Sequence, residues 1–142
     1  MAAFNKVNDF VEYAVEGMNL NSDTLKVTLS NTAPASETSP PTGDGNGILA
    51  NVTQIANIGN VSDVTLSGVT SSQTSGTYKL SATDKELAAT GTVGPFQYVY
   101  IYNDTVANDP LIGYYDYGSP ITLQNGDKFT IDLGANGILT LT

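Results

Sequence analysis

Three carboxylates, Asp104, Asp109 and Asp116, lie in and just beyond a tyrosine-rich stretch. They are the residues of this chain whose type and spacing come closest to chemistry. A pair of carboxylates about 5–10 Å apart in a cleft hydrolyses glycosides, one as acid and the other as base or nucleophile. Together with Asn103 and Asn108 the same acids offer hard oxygen ligands suited to Ca²⁺. No Asp-x-Asp-x-Asp-Gly loop accompanies them, and glycosidase sites usually also carry Trp or His, both absent here. Asn103-Asp104-Thr105 and Asn108-Asp109-Pro110 read more simply as turn formers whose side chains bond the backbone. Six of the eight tyrosines (Tyr98, Tyr100, Tyr102, Tyr114, Tyr115 and Tyr117) also fall in this stretch. Exposed, they would stack on sugars or anchor an interface; buried, they would form a core layer or a subunit contact.

The remaining inventory excludes more than it offers. With no His and no Cys, histidine triads, cysteine nucleophiles and ordinary zinc sites are not available. Gly43 to Gly47 matches a phosphate loop only in glycine content, since no Gly-Lys-Ser/Thr follows. No catalytic residue, cofactor or metal is therefore expected. The cations are Lys6, Lys26, Lys79, Lys85 and Lys128, set against 14 acidic residues for a net charge of −9. Scattered lysines without arginine cannot displace counterions from phosphate, so no nucleic-acid partner is expected. No apolar run is long enough for a signal peptide or a membrane span, so no membrane association is expected, and the absence of cysteine is compatible with folding in a reducing bacterial cytoplasm.

The elements that would position these residues are mostly strands. At 142 residues the chain suits one domain. Phe4, Val7, Phe10, Val11, Ala14 and Val15 recur at helical spacing, predicting one helix over about 4–17 that ends at Gly17 and lays its apolar stripe on the sheet or docks on a partner. Leu25, Val27 and Leu29 alternate with Lys26, Thr28 and Ser30, as in a half-buried strand. Residues 31–47, with Pro34, Pro40 and Pro41, read as a long polar surface loop. Further strands are predicted at 48–56, 61–70, 76–82 and 86–93, with Ser71 to Gly76 as a turn-rich connector. Phe96 to Asn103 is the clearest strand: Phe96, Tyr98, Tyr100 and Tyr102 on one face, Val99 and Ile101 on the other. The chain closes on two expected hairpins. Ile121–Gln124 meets Lys128–Ile131 across Asn125-Gly126, and Asp132–Gly137 turns the chain into Ile138–Leu141. The predicted fold is mainly β, an antiparallel β-sandwich or jelly roll with one N-terminal helix.

Two stretches carry a family resemblance. One runs from Phe4-Asn5-Lys6 through Asp9-Phe10-Val11-Glu12 to Ser22–Pro34. The other runs from Gly94-Pro95-Phe96-Gln97-Tyr98 through Tyr102–Thr105 to Pro110–Gly118. Asn125-Gly126-Asp127 and the closing Asn136–Leu141 extend it, leaving out only the 35–93 middle. The pattern resembles small virion structural proteins of tailed bacteriophages, similar to capsid decoration or cement proteins. That resemblance implies a virion component on the capsid surface, a homo-oligomer with a trimer favoured, and the major capsid protein as partner. The loop at 31–47 would then be an arm across a neighbour. Candidate interface residues are Phe4, Phe10, Pro34, Pro40, Pro41 and the tyrosines 98, 100, 102, 114, 115 and 117. The alternatives are a tail, connector or fibre-associated protein, or a carbohydrate-binding receptor-recognition module using the tyrosines.

Overall fold

The computed structural model describes residues 2–134 and 136–142. The chain begins with β1 (Phe4–Lys6), α1 (Phe10–Glu16) and β2 (Leu25–Ser30). Single 3₁₀ turns follow at Pro34–Ser36, Leu49–Asn51 and Ile58–Asn60. The second half is β3 (Thr70–Thr74), β4 (Thr77–Ser81), β5 (Lys85–Ala88), β6 (Val93–Asn103), β7 (Leu111–Leu123), β8 (Lys128–Ile131) and β9 (Leu139–Leu141). Every strand pairing is antiparallel. One layer is the sheet β1-β7-β6-β2, and the other is divided between β3-β4-β9 and β5-β8. The core lies between them. Leu25, Val27, Leu29, Val99, Ile101 and Ile112 from the large sheet meet Leu80, Leu139, Leu87 and Ile131 from the small ones. This is the expected mainly-β antiparallel sandwich. The divided second layer is not the second four-stranded sheet that a jelly roll requires.

β6 lies at the centre, paired with β2 from Leu25↔Asn103 to Ser30↔Tyr98 and with β7 on its other edge. The ladder is interrupted: Phe96 pairs Ile121 but Tyr98 pairs Asp116, so Gln97 alone faces Tyr117–Pro120. Such a bulge re-aims side chains. Phe96 accordingly joins Val99 and Ile101 in the inner core, while Tyr98, Tyr100 and Tyr102 form a separate cluster on the outer face. The expectation that Phe96 shares a face with the tyrosines fails because strict alternation does not survive the bulge.

The N-terminal segment also departs from expectation. Helix is confined to Phe10–Glu16, and Phe4–Lys6 is an edge strand in register with Tyr115, Tyr114 and Gly113. Pairing there satisfies the free edge of β7, a long-range gain that local periodicity does not report. Residues 48–56 and most of 61–70 form isolated bridges rather than strands, among them Ser30↔Gln54 and Lys26↔Thr65. They run beside β2 and cover its edge, with Ile55 N–H bonding Leu29 O at 3.0 Å and Leu66 N–H bonding Leu25 O at 2.9 Å. β2 is consequently buried on both faces rather than half-buried.

Connections differ in the same way. The expected connector Ser71–Gly76 is mostly β3, joined to β4 by Ser75-Gly76 with φ of 52° and 84°. The 86–93 segment divides between β5 and the start of β6, whereas 76–82 matches β4. Gln124 to Asp127 does turn, closed by a 2.9 Å bond from Asp127 N–H to Gln124 O. Only Gly126 in that pair has positive φ, at 91°. That is the pattern of a type II turn, which splays strands rather than zipping them. β8 therefore leaves β7 and pairs with β5, and β9 pairs with β4, so neither C-terminal hairpin forms. Ala135, inside the expected Asp132–Gly137 turn, lies outside the described residues.

Gly113 is the point where β1 closes on β7, because a Cβ there would overlap the Phe4 ring and the Asn5 carbonyl. Gly113→Ala is expected to lower unfolding free energy by about 1–3 kcal/mol in urea, as overpacking does. Gly59→Ala, where nothing lies within 4 Å of the new Cβ, should leave the midpoint almost unchanged.

Candidate functional site

Asp116 does not assemble with Asp104. Asp104 pairs with Lys26 at 2.9 Å, and that hydrogen bond and charge raise the Lys26 pKa. Asp116 accepts from Gln97 Nε2 at 2.9 Å and from Gly118 N–H at 2.8 Å. Asp116 stands opposite Tyr98, and Asp104 follows β6 six residues further along. At strand spacing that separation is about 20 Å, too wide for a carboxylate pair. Asn103 Oδ1 accepts the Thr105 and Val106 N–H groups at 2.9 and 3.1 Å, and Asn108 and Asp109 have φ of 70° and 49°. Both segments therefore act as turn formers. Among the described residues, no three His, Cys, Asp or Glu side chains could together hold a metal ion.

The tyrosines are mostly interior. Tyr98, Tyr100 and Tyr102 pack with Val7, Val52 and Leu111 on the outer face of the large sheet, under the segment 31–54. Tyr114 joins this layer, its ring 5.4 Å from that of Tyr100. Tyr115 points to the opposite side, edge-on to Phe4 at 5.2 Å, and Tyr117 meets Phe129 at 5.2 Å. The 31–47 loop is not a free arm but the roof of the tyrosine layer. Pro34 and Pro41 are buried, as is Glu37, whose carboxylate accepts from the Thr53 N–H and hydroxyl. Asp9 fastens the far end by accepting Gly45 and Gly47 N–H at 3.0 and 2.8 Å. Several of its backbone groups find partners within the chain, among them the N–H groups of Ser36, Glu37, Gly43 and Asn46.

Of the candidate interface residues, Phe10, Pro34, Pro41, Tyr98, Tyr100, Tyr102 and Tyr115 are buried in the chain itself. Only Phe4, Pro40, Tyr114 and Tyr117 keep partial exposure. The open aromatic platform that sugar stacking needs is not formed by Tyr98, Tyr100 and Tyr102.

The surface that does offer apolar contact lies on α1. The helix buries Phe10 and packs Ala14 against the core, with Met18 just beyond its end packing there too, leaving Val11 43% and Val15 84% exposed. Between α1 and the β4–β9 edge runs a groove of about 450 Å³, lined by Ala14, Val15, Met18, Ser71, Tyr78 and Leu141. The Tyr78 hydroxyl is buried there, near the Ser71 hydroxyl but without a hydrogen bond of good geometry. Burial pushes its pKa up, offset in part by the Ser71 hydroxyl. Across Val15 from the groove is a shallow acidic depression with Asp9, Glu12, Glu16 and Asp44. Sequence reasoning placed Val11 and Val15 on the sheet-facing stripe and missed Met18, Tyr78 and Leu141. One signal was legible: Phe10/Ala14 and Val11/Val15 are two separate i,i+4 rows, more than one short helix buries.

No protein-family model matches the chain, and no curated protein or solved structure is significantly similar to it. No helix among the described residues is long and apolar enough to cross a membrane.

Burial holds the Tyr115 and Tyr117 phenols neutral, with pKa values pushed from 10.0 up to about 12. Above pH 10 the unfolded chain ionises these groups and the folded chain does not. Their contribution is thus complete below pH 10 and lost as pH rises through about 12. The urea midpoint should fall across that window, while phenolate absorbance shows a late-titrating fraction. A flat midpoint with all tyrosines titrating near 10 would contradict the buried placement.

Proposed function

We propose that this chain is a bacteriophage virion structural protein that decorates the capsid. It binds the outer face of the major capsid protein as a small oligomer, with a trimer favoured, and stabilises the shell. The observation that carries this reading is the exposed α1 face. Val11 and Val15 are the only large hydrophobic residues standing exposed among the described residues, and they flank an apolar groove. Exposed apolar surface rimmed by polar groups marks an interaction site. The molecule behind it suits a cement role: a sandwich with its long loop fastened to its own sheet, and an acidic surface.

The phage resemblance supports the same reading in a particular way. Its two main stretches, 4–34 and 94–118, coincide with β1, α1, β2, β6 and most of β7. They therefore span the large sheet and the helix that presents the candidate face. The 35–93 middle, outside the resemblance, supplies the roof and two of the three strands of the sheet beside the groove.

The test is co-sedimentation of the purified protein with matching capsids that lack it, read with the temperature at which the shells disrupt. Saturable binding at a fixed ratio to the major capsid protein, with a raised disruption temperature, is expected. Val15→Asp should abolish that binding while changing unfolding free energy by no more than about 0.5 kcal/mol, since the side chain touches little. Wild-type protein that fails to bind shells but assembles with tail components would replace the capsid assignment with the tail one.

A further inference from the structure

We propose that the groove between α1 and the β4–β9 edge receives a basic, apolar-anchored segment of a different protein. In this arrangement aliphatic side chains enter between Met18, Tyr78 and Leu141 and cover Val15. Lysine or arginine heads reach Glu12, Glu16 and Asp44, and an acceptor on the segment accepts a hydrogen bond from the Tyr78 hydroxyl. The inference rests on the capsid reading only for which protein supplies the segment; the chemistry of the groove is independent of it.

Three separate features converge on this occupant. The first is apolar: Val15 stands 84% exposed at the lip of a groove with a largely hydrocarbon lining. The second is the Tyr78 hydroxyl, buried with the Ser71 hydroxyl near it but forming no hydrogen bond of good geometry inside the chain. A native protein leaves few such groups unsatisfied, and Tyr78 lines the groove, where an incoming acceptor would complete the bond. The third is charge. Glu12 and Glu16 are a like-charged i,i+4 pair, and Glu16 sits in the last helical turn, where no basic residue balances it. The ion pairs among the described residues use Lys26, Lys85 and Lys128 with Asp104, Asp63 and Glu86. None of these involves an acid beside Val15. A cation docked there would relieve repulsion that the folded chain leaves standing.

The same charges argue against a second copy of this chain as the occupant. A two-fold contact would set Glu12, Glu16 and Asp44 against themselves. A head-to-tail contact would have to draw its cation from Lys6 or Lys79, the lysines outside those ion pairs, in a chain of net charge −9. A foreign segment rich in Lys or Arg meets neither obstacle.

The test is an amide-shift titration of the isotopically labelled full chain with a short peptide carrying two leucines flanked by lysines. A control peptide replaces each lysine by glutamate. The lysine peptide should shift α1, β4 and β9 amides saturably, weaken as salt is added, and lose about tenfold in affinity against Glu12→Lys/Glu16→Lys. Tyr78→Phe, which keeps the ring, should weaken it by about two- to tenfold, the worth of one hydrogen bond. Equal binding of the glutamate peptide, shifts centred elsewhere, or no saturable shift would overturn the proposal. So would a self-association in light scattering that Val15→Asp removes. A lysine peptide that binds while shells do not co-sediment keeps the groove assignment and overturns the capsid one. Shells bound through Val15 with no charge preference do the reverse.

Discussion

β6 is covered on both faces, and much of the rest of the molecule is arranged to meet that condition. Its inner face places Phe96, Val99 and Ile101 in the core, and its outer face carries Tyr98, Tyr100 and Tyr102. Ladders to β2 and β7 satisfy its backbone. A sheet with large side chains on its outer face needs a second cover, and residues 31–54 supply it together with Val7. That roof holds because polar groups at its ends are matched. Glu37 accepts from Thr53, and Asp9 accepts from Gly45 and Gly47. A buried carboxylate is tolerated where its oxygens are bonded, and expensive where they are not. The long loop is thus part of the fold, not an appendage.

The inner layer follows from what the large sheet leaves uncovered. Two small sheets rather than one large one close the core, because the chain splays at Gly126 and returns through β8 and β9 to strands far back in sequence. α1 fills the remaining gap beside β4 and β9 with Phe10 and Ala14, joined by Met18 just beyond its end. A seven-residue helix seated in this way turns its second apolar row outward. The candidate binding face follows from how the helix must sit, with Val11 and Val15 turned to solvent. Exposed valines beside a groove, on a chain otherwise well supplied with Ser, Thr and Asn, mark this face as a contact surface.

Charge then shapes what can approach that face. Three lysines are tied into pairs, and the acids around α1 keep theirs uncompensated. At this face such a field disfavours anionic surfaces and a second copy of the chain while favouring basic partners. It acts on association more than on the fold, since exposed charges contribute little to stability.

Composition and period were enough to establish a mainly-β chain with one N-terminal helix, the strand centred on 96–103, and the turn-forming roles of Asn103 and Asn108. These properties are local: alternation, turn chemistry and missing residue types are all written within a few positions. The bulge at Gln97, the strand at Phe4–Lys6, the separation of β8 from β7 and the fastening of the 31–47 loop were decided only in three dimensions. Each depends on pairing a free edge or covering an apolar face with residues distant in sequence. The candidate site belongs to the second group. The helix carrying Val15 could be read from spacing, but which of its rows is buried depends on where Phe10 finds the core. Tyr78 and Leu141 reach the groove only because β9 pairs with β4, a contact between segments about sixty residues apart.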